Sequence, residues 1–474
     1  MEKKGCDLGL IGLGVMGRNF LLNVADQGFA VAGYDLDADK TDAREKEKMA
    51  DTDIRTATAV RDFVNLLSLP RTVMLLVPAG DPVDAVIGEI SPLLEPGDLI
   101  IDSGNSHFKD TDRRGKALAE TKLEFMGMGI SGGESGARHG PSLMPGGSWD
   151  AYIRVKPILE AAAARVDKEP CVAHLGAGSA GHYVKMVHNG IEYGVMQLIS
   201  ETYDIMKQGM GLGADALQSV YDAWSRTEIE SYLLEITARI FSYREEKTGK
   251  PLIDMIKDEA RQKGTGMWMS WDAMELQVPT PTIDAAVMMR NLSARTAQRA
   301  AAAENLHGSN HFPDQPFQEN RDEFLSALKY ALYIGMVVTY AQGFALLNAA
   351  SRHYGYNVDL EAVARIWRGG CIIRAKMLEN IRSAFGGGKD LSNLLADSHL
   401  GRKVMACRKD LGHVVRTCAH LGLPAPALMA SLSYVDAMRS NRLPANLIQA
   451  QRDYFGAHTY ERIDAGGTFH TQWE

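Results

Sequence analysis

A glycine triplet near the amino terminus constrains this chain more than any other feature. Gly12, Gly14 and Gly17 form G-x-G-x-x-G between an apolar run, Leu8 to Ile11, and an amphipathic stretch, Arg18 to Asp26. Between a strand and a helix, such glycines permit a tight turn and let backbone N–H groups approach a pyrophosphate at the positive end of the helix dipole. A dinucleotide is therefore expected against Gly12, Leu13, Gly14, Val15, Met16 and Gly17, with Val77, Ala79 and Asn105 at the ends of later strands.

Asp35 ends the next apolar run, 18 residues after Gly17. A carboxylate there accepts hydrogen bonds from the adenosine ribose hydroxyls and repels a 2′-phosphate. No Arg follows it, only Leu36 and Asp37. This local chemistry predicts NAD in preference to NADP; the plainer alternative is an ordinary turn residue.

Short apolar runs continue to alternate with amphipathic stretches up to about residue 176, the pattern of a doubly wound parallel sheet. Strands are expected at Leu8–Ile11, Ala30–Tyr34, Val73–Val77 and Leu99–Ile101, and helices at Arg18–Asp26, Ala38–Met49, Pro82–Leu93 and Asp110–Glu120. From about Ser179 to Ser440 the periodicity is helical, with breaks at Gly209–Gly213 and Gly386–Gly388. Stretches beginning near Gly181 and Ser326 have the look of related halves, without a clear repeat. The expected division is residues 1–178, an α/β dinucleotide-binding domain; 179–440, an all-helical domain; and 441–474, a tail. The tail keeps Tyr454, Phe455, Tyr460, Phe469 and Trp473, which need covering by a second subunit or by their own domain.

At 474 residues the chain exceeds what one core supports, in keeping with that division. A net charge of −8 argues against a broad basic surface for nucleic acid or anionic membrane. Five scattered cysteines suggest neither a disulfide framework nor a metal site, and fit a reducing cytoplasm. Lys3 and Lys4 before an apolar stretch imitate a secretory signal, but Asp7, the glycines and Arg18 interrupt it. The uncharged segment from Ala331 to Ala350 carries Tyr333, Thr339, Tyr340, Gln342 and Asn348, which favours a buried core helix over a membrane span.

The sharpest chemical signal follows Gly181. Lys185, His188, Asn189 and Glu192 stand at i, i+3, i+4 and i+7, hence on one helical face, beside an apolar stripe of Val184, Val187, Ile191, Val195 and Leu198. A lysine whose neutral form is made accessible by burial can take a proton, and a nearby carboxyl can supply one. The alternative is a solvated face with an ordinary ion pair. The glycine-rich run from Ser131 to Gly147 suits a backbone grip on a carboxylate, or is a long structural loop. Asn105 follows a strand, where it faces a ligand or closes an Asx turn. Lys263, Thr265, Arg290 and Arg452 offer cations and a hydroxyl for a phosphate, although each alone is more often a surface residue.

Taken together, Gly12–Gly17, Ile101–Ser106, Ile130–Gly147, Lys185–Tyr193, Lys263–Gly266 and Ala445–Tyr460 closely resemble the 6-phosphogluconate dehydrogenase family, over essentially the whole chain. The resemblance implies a Rossmann-type domain, a large helical domain and a tail reaching into the partner of a homodimer. It implies Lys185 as general base and Glu192 as the acid that protonates C1, in a reaction that needs no metal. Ser131, Gly132, Gly133, His188, Asn189 and Asn105 would then hold the sugar acid. Tyr193, Lys263, Thr265 and Arg290, with Arg452 and His458 of the other subunit, would hold its phosphate end. The competing readings are a dehydrogenase of an unphosphorylated 3-hydroxy acid and a non-catalytic nucleotide-binding regulator. The family default is NADP, but Asp35-Leu36-Asp37 stands where Asn-Arg-Thr is typical and Pro78 where a lysine is. Both departures remove cationic grip, so NAD preference or weak discrimination is expected. Met267, where a lysine is common, has no evident mechanistic meaning.

Overall fold

The computed structural model describes residues 5–37, 40, 52–306, 317–387 and 391–473. The helix expected at Ala38–Met49 lies, Lys40 apart, outside them. The strands are β1 (Leu8–Ile11), β2 (Val31–Tyr34), β3 (Ile54–Thr56), β4 (Thr72–Leu75), β5 (Leu99–Asp102), β6 (Glu124–Ser131) and β7 (Ser142–Pro145). They form one sheet in the order β3-β2-β1-β4-β5-β6-β7. All neighbours are parallel except β7, which runs antiparallel to β6. The helices around the sheet are α1 (Val15–Asp26), α2 (Val60–Asn65), α3 (Asp81–Ile90), α4 (Phe108–Ala119), α5 (Gly133–His139) and α6 (Trp149–Ala162).

Successive strand residues face opposite sides. Leu8, Leu10, Met74 and Ile101 accordingly join one apolar cluster, while Ile11, Val73, Leu75 and Ile100 join another. Burial on both faces explains why these strands read as unbroken apolar runs. Chain order reverses between β1 and β4, which opens the crevice for ligands beyond their carboxyl ends. The glycine-rich run is more ordered than a loop: it contains α5 and β7.

The helical domain begins with α7 (Ala180–Asp204), buried along most of its length. It packs on the long helix Arg321–Tyr354, where glycines take the place of side chains: Gly335 faces Leu198 and Gly343 faces Val187 and Ile191. That long helix begins where Asn320 accepts from the N–H groups of Asp322 and Glu323, and ends at Gly355 in the left-handed conformation. It is long and apolar enough to cross a membrane, yet 89 % of its most apolar window is buried within the protein. Two of its buried polar groups have partners there, although the buried Tyr333 hydroxyl has none among the described residues. Gln342 caps the helix Pro281–Ser293 by accepting from Thr282 N–H at 3.1 Å, and Tyr340 donates to the Ile373 carbonyl at 2.5 Å.

The tail forms a helix, Ala445–Gly456, and a two-stranded hairpin, Tyr460–Glu461 with Thr468–Phe469. Asp453 ties them together, accepting from Thr459 N–H, Thr471 N–H, His470 and Trp473 Nε1 at 2.9–3.0 Å. These tail elements pack chiefly on one another. Tyr454 and Phe455 are left exposed.

Candidate active site

The glycine turn is built for close approach. A Cβ on Gly17 would stand 1.9 Å from the Gly12 carbonyl oxygen, and Gly12 itself has φ of +99°. Gly14 caps α1 without a side chain, so the helix N-terminus faces the crevice bare. Here the chain forms a cavity of about 660 Å³ lined by Gly14, Val15, Met16, Gly17, Val77 and Ala79 on one side and by Asn105, Lys263 and Thr265 on the other. Gly12 and Leu13 lie behind it, Leu13 buried. Expected cofactor and substrate residues thus share one space.

The polar face of α7 is not solvated. Lys185, His188 and Asn189 are 7 %, 0 % and 8 % exposed, which removes the surface ion-pair alternative. The helix leans on the sheet because β6 has no side chain in its way: a Cβ on Gly129 would stand 2.4 Å from Lys185 Cβ. Lys185 Nζ lies 3.5 Å from His188 Nδ1. His188 donates from Nδ1 to Asn189 Oδ1 at 3.1 Å, leaving Nε2 to accept from the Ser131 hydroxyl at 3.0 Å. Glu192 Oε2 is 3.9 Å from His188 Nδ1.

Burial sets the proton affinities here. It lowers the Lys185 pKa, opposed by the Glu192 carboxylate. It raises that of Glu192, opposed by Lys185 and Arg290. Burial and the adjacent lysine hold His188 well below the ordinary histidine value, and therefore neutral. The site thus contains a base made easier to deprotonate and an acid made harder to ionise.

Arg290 lies flat on Tyr193, 3.4 Å from the ring centroid, and donates to the Arg261 carbonyl at 3.3 Å. Gly132 and Gly133 turn at the end of β6, both with positive φ, beside Ser131. Arg452 and His458 do not join this group within the chain. Arg452 donates to Gln449 at 3.0 Å and His458 packs on Phe455, both inside the tail.

Two neighbours were not anticipated from sequence. Trp367 meets His188 edge-on, with ring centroids 5.7 Å apart, and buried Cys371 is close enough to affect Lys185. Both lie more than 160 positions beyond the end of α7, and no motif announces them.

Comparison with known proteins follows the same division. Residues 7–176 match the model of the NAD binding domain of 6-phosphogluconate dehydrogenase, and residues 181–473 that of the 6-phosphogluconate dehydrogenase C-terminal domain. A 6-phosphogluconate dehydrogenase, decarboxylating, of Synechococcus elongatus is 50 % identical over 98 % of both chains. The NADP(+)-dependent, decarboxylating enzyme of Bacillus subtilis is 48 % identical over 98 % of both. The Plasmodium falciparum 6-phosphogluconate dehydrogenase, solved in its apo form, with NADP+ and with 6-phosphogluconate, superposes with a TM-score of 0.94. That match has 42 % identity and covers 99 % of this chain and 100 % of the other.

These relatives correct the expected shift toward NAD, since the Bacillus enzyme is NADP(+)-dependent and the Plasmodium enzyme binds NADP+. The structure supplies a physical reason. Asp35 is not a free acceptor: it receives the Leu13 N–H at 2.7 Å and the Asp37 N–H at 2.9 Å. Lys40 stands 3.6 Å from the carboxylates of both Asp35 and Asp37, supplying a cation outside positions 35–37 and 78, on which the NAD expectation rests. From the glycine turn to the tail, in sequence and in fold, the chain belongs to the 6-phosphogluconate dehydrogenase family.

Proposed function

We propose that Lys185 and Glu192 divide the proton transfers of the reaction this chain catalyses, the oxidative decarboxylation of 6-phosphogluconate to ribulose 5-phosphate and carbon dioxide with reduction of NADP+. The observation that carries these roles is the buried lysine 3.5 Å from a neutral histidine, with a carboxyl of raised pKa on the next turn. NADP+ held at the bare end of α1, against Val77, Ala79 and Asn105, supplies the acceptor for the C3 hydride.

Neutral Lys185 takes the 3-hydroxyl proton as C3 is oxidised. The resulting ketone is β to the carboxylate, so the electrons of the breaking C1–C2 bond have a place to go, and Lys185 returns its proton to the carbonyl oxygen as carbon dioxide leaves. Glu192 then protonates C1 of the enediol while Lys185, neutral again, takes the C2 hydroxyl proton, giving ribulose 5-phosphate. Ser131, Gly132, Gly133, His188, Asn189 and Asn105 hold the sugar acid, and Tyr193, Lys263, Thr265 and Arg290 its phosphate end.

Arg452 and His458 complete the phosphate end from the second subunit of a homodimer. Support comes from the tail's packing chiefly on itself and from exposed apolar groups on both prospective surfaces. These are Leu447, Ile448 and Phe455 on the tail, and Met196, Met288 and Leu292 near Arg290.

Initial rates of NADP+ reduction with carbon dioxide release test the reaction. Mixing two impaired variants tests the shared site, with rates read at 6-phosphogluconate well below the raised KM of Arg452→Ala, where both variants are slow. After subunit exchange, Lys185→Ala with Arg452→Ala assembles heterodimers in which one site has its own lysine and an intact partner tail, so activity returns. No recovery, with exchange verified, overturns the shared site.

A further inference from the structure

Behind the cavity wall lies a buried ion cluster that the reaction chemistry does not use. Arg114, on α4, has a side chain only 2 % exposed and all three guanidinium nitrogens engaged. Its Nε and Nη2 donate to the two Asp84 oxygens at 2.9 and 3.0 Å, and Nη2 also donates to the Gly80 carbonyl at 3.0 Å. On its other side Nη1 donates to Asp102 Oδ2 at 3.2 Å and to Ser106 Oγ at 3.3 Å.

Those partners adjoin two separate walls of the cavity. Gly80 and Asp84 follow Val77–Ala79 after β4, whereas Asp102 and Ser106 bracket Asn105 after β5. Asp102 staples the Asn105 turn from both ends, accepting from Gly104 N–H at 3.1 Å and from Ser106 Oγ at 2.6 Å. The same α4 meets the catalytic helix: Thr111 Oγ1 and His182 Nδ1 share a hydrogen bond of 2.6 Å, one turn before Lys185. At its start it also meets the Lys263–Thr265 wall, through His107 against Trp268 and Lys109 with Glu275 at 3.0 Å.

We infer that Arg114 is a positioning residue: it locks the Gly80 corner to the Asn105 turn and so fixes both the coenzyme wall and Asn105 relative to Lys185. A planar fork with five donors reaches both carboxylates at once, which a lysine's point charge does not. Asp102 is completely buried, so loss of the fork leaves an unpaired charge that its turn must move to solvate. The inference rests on the substrate-holding role given above to Asn105.

The two arms of the clamp are separable by variants. Asp84→Asn loosens only the Gly80 corner and weakens NADP+ binding, read as Kd by calorimetry, more than it lowers kcat. Ser106→Ala loosens only the Asn105 turn, which faces both ligands, and lowers kcat more than it weakens NADP+ binding. Arg114→Gln does both, with kcat down roughly 10- to 100-fold, the scale of a misplacement near 1 Å; Arg114→Lys is intermediate. Arg113→Gln, which removes an exposed partner of Asp84, changes neither constant. A purely structural role lowers thermal stability and leaves both constants of the folded protein unchanged, and that result overturns the clamp. Should Arg114→Gln fail to fold, the opposite splits of Asp84→Asn and Ser106→Ala decide, and identical behaviour of the two overturns it. Asn105→Ala, run in parallel, separates the two readings. Normal kcat there removes the role of Asn105 and with it this inference; reduced kcat there, with unchanged kcat in Ser106→Ala, removes the clamp alone.

Discussion

Two regions contribute cations and hydrogen-bonding groups to the proposed substrate site, and they are organised in opposite ways. On α7, Lys185, His188 and Asn189 are buried and linked to one another and to Ser131 before any ligand arrives. On the tail, Arg452 and His458 are exposed, with partners, among the described residues, within the tail. The first arrangement has its desolvation and ordering costs met by folding, which is what a group that must move protons needs. The second has those costs still to be met when surfaces meet, which suits a group that only holds an anion.

This contrast predicts a graded set of effects. The largest belongs to Lys185→Ala, with kcat reduced by roughly 100- to 10,000-fold, the range for general acid–base groups, and NADP+ binding intact by calorimetry. Near-normal turnover would remove the lysine from its role. Glu192→Gln comes next, read through the pH profile. Activity rises as pH rises through the lowered pKa of Lys185, because the base must be neutral, and falls as pH rises through the raised pKa of Glu192, because the acid must be protonated. The variant is expected to be slow and to lose the alkaline fall; an unchanged profile would assign that limb elsewhere.

Arg452→Ala should act on holding rather than chemistry. We expect KM for 6-phosphogluconate to rise roughly 10-fold or more, as for loss of a charged hydrogen bond, with kcat changed far less. A loss in kcat equal to that of Lys185→Ala would erase the contrast between the regions.

The smallest effect on catalysis belongs to a buried carboxylate remote from this comparison, which acts on stability instead. Glu201 caps the helix Pro426–Met438 by accepting from Ala427 N–H and Leu428 N–H, and burial raises its pKa from 4.5 to about 7. The folded state therefore holds its proton more tightly than the unfolded one, so stability falls as pH rises from about 4.5 to 7. Across that window the contribution is about 3 kcal/mol. Glu201→Gln should flatten this part of the pH–Tm curve; a parallel curve would show that other groups set it.

The site was legible in sequence where its residues are neighbours along the chain. The spacing of Lys185, His188, Asn189 and Glu192 identified one helical face, and Gly12, Gly14 and Gly17 identified the turn. Legibility failed where distant segments meet. Strand β6 is expected before Ser131 but without bounds, because Gly127 and Gly129 interrupt its apolar run, and they are there because α7 lies against it: their missing Cβ atoms leave room for His182 and Lys185. Strand β7 was hidden inside a glycine-rich run for a related reason, being short and flanked by turns. Arg114 is an unremarkable charge in a polar helix until folding brings Asp84 and Asp102 to it from 30 and 12 positions away. The coenzyme expectation failed through a partner: Asp35 was weighed as an isolated carboxylate, whereas it is bonded to the glycine turn and faces Lys40.

The contact between α7 and β6 has a consequence for how such a protein can diversify. Lys185 rests on the backbone of the strand that ends in Ser131, so the proposed proton-transfer group and the proposed first grip on substrate descend together as one inherited block. Side chains at positions 127 and 129 would separate them, which closes those positions to gradual change. The tail carries no such obligation to the rest of its own chain. With the tail in its proposed role, lineages built on this plan can alter what is recognised at the far end of the substrate while the bond-breaking chemistry stays fixed.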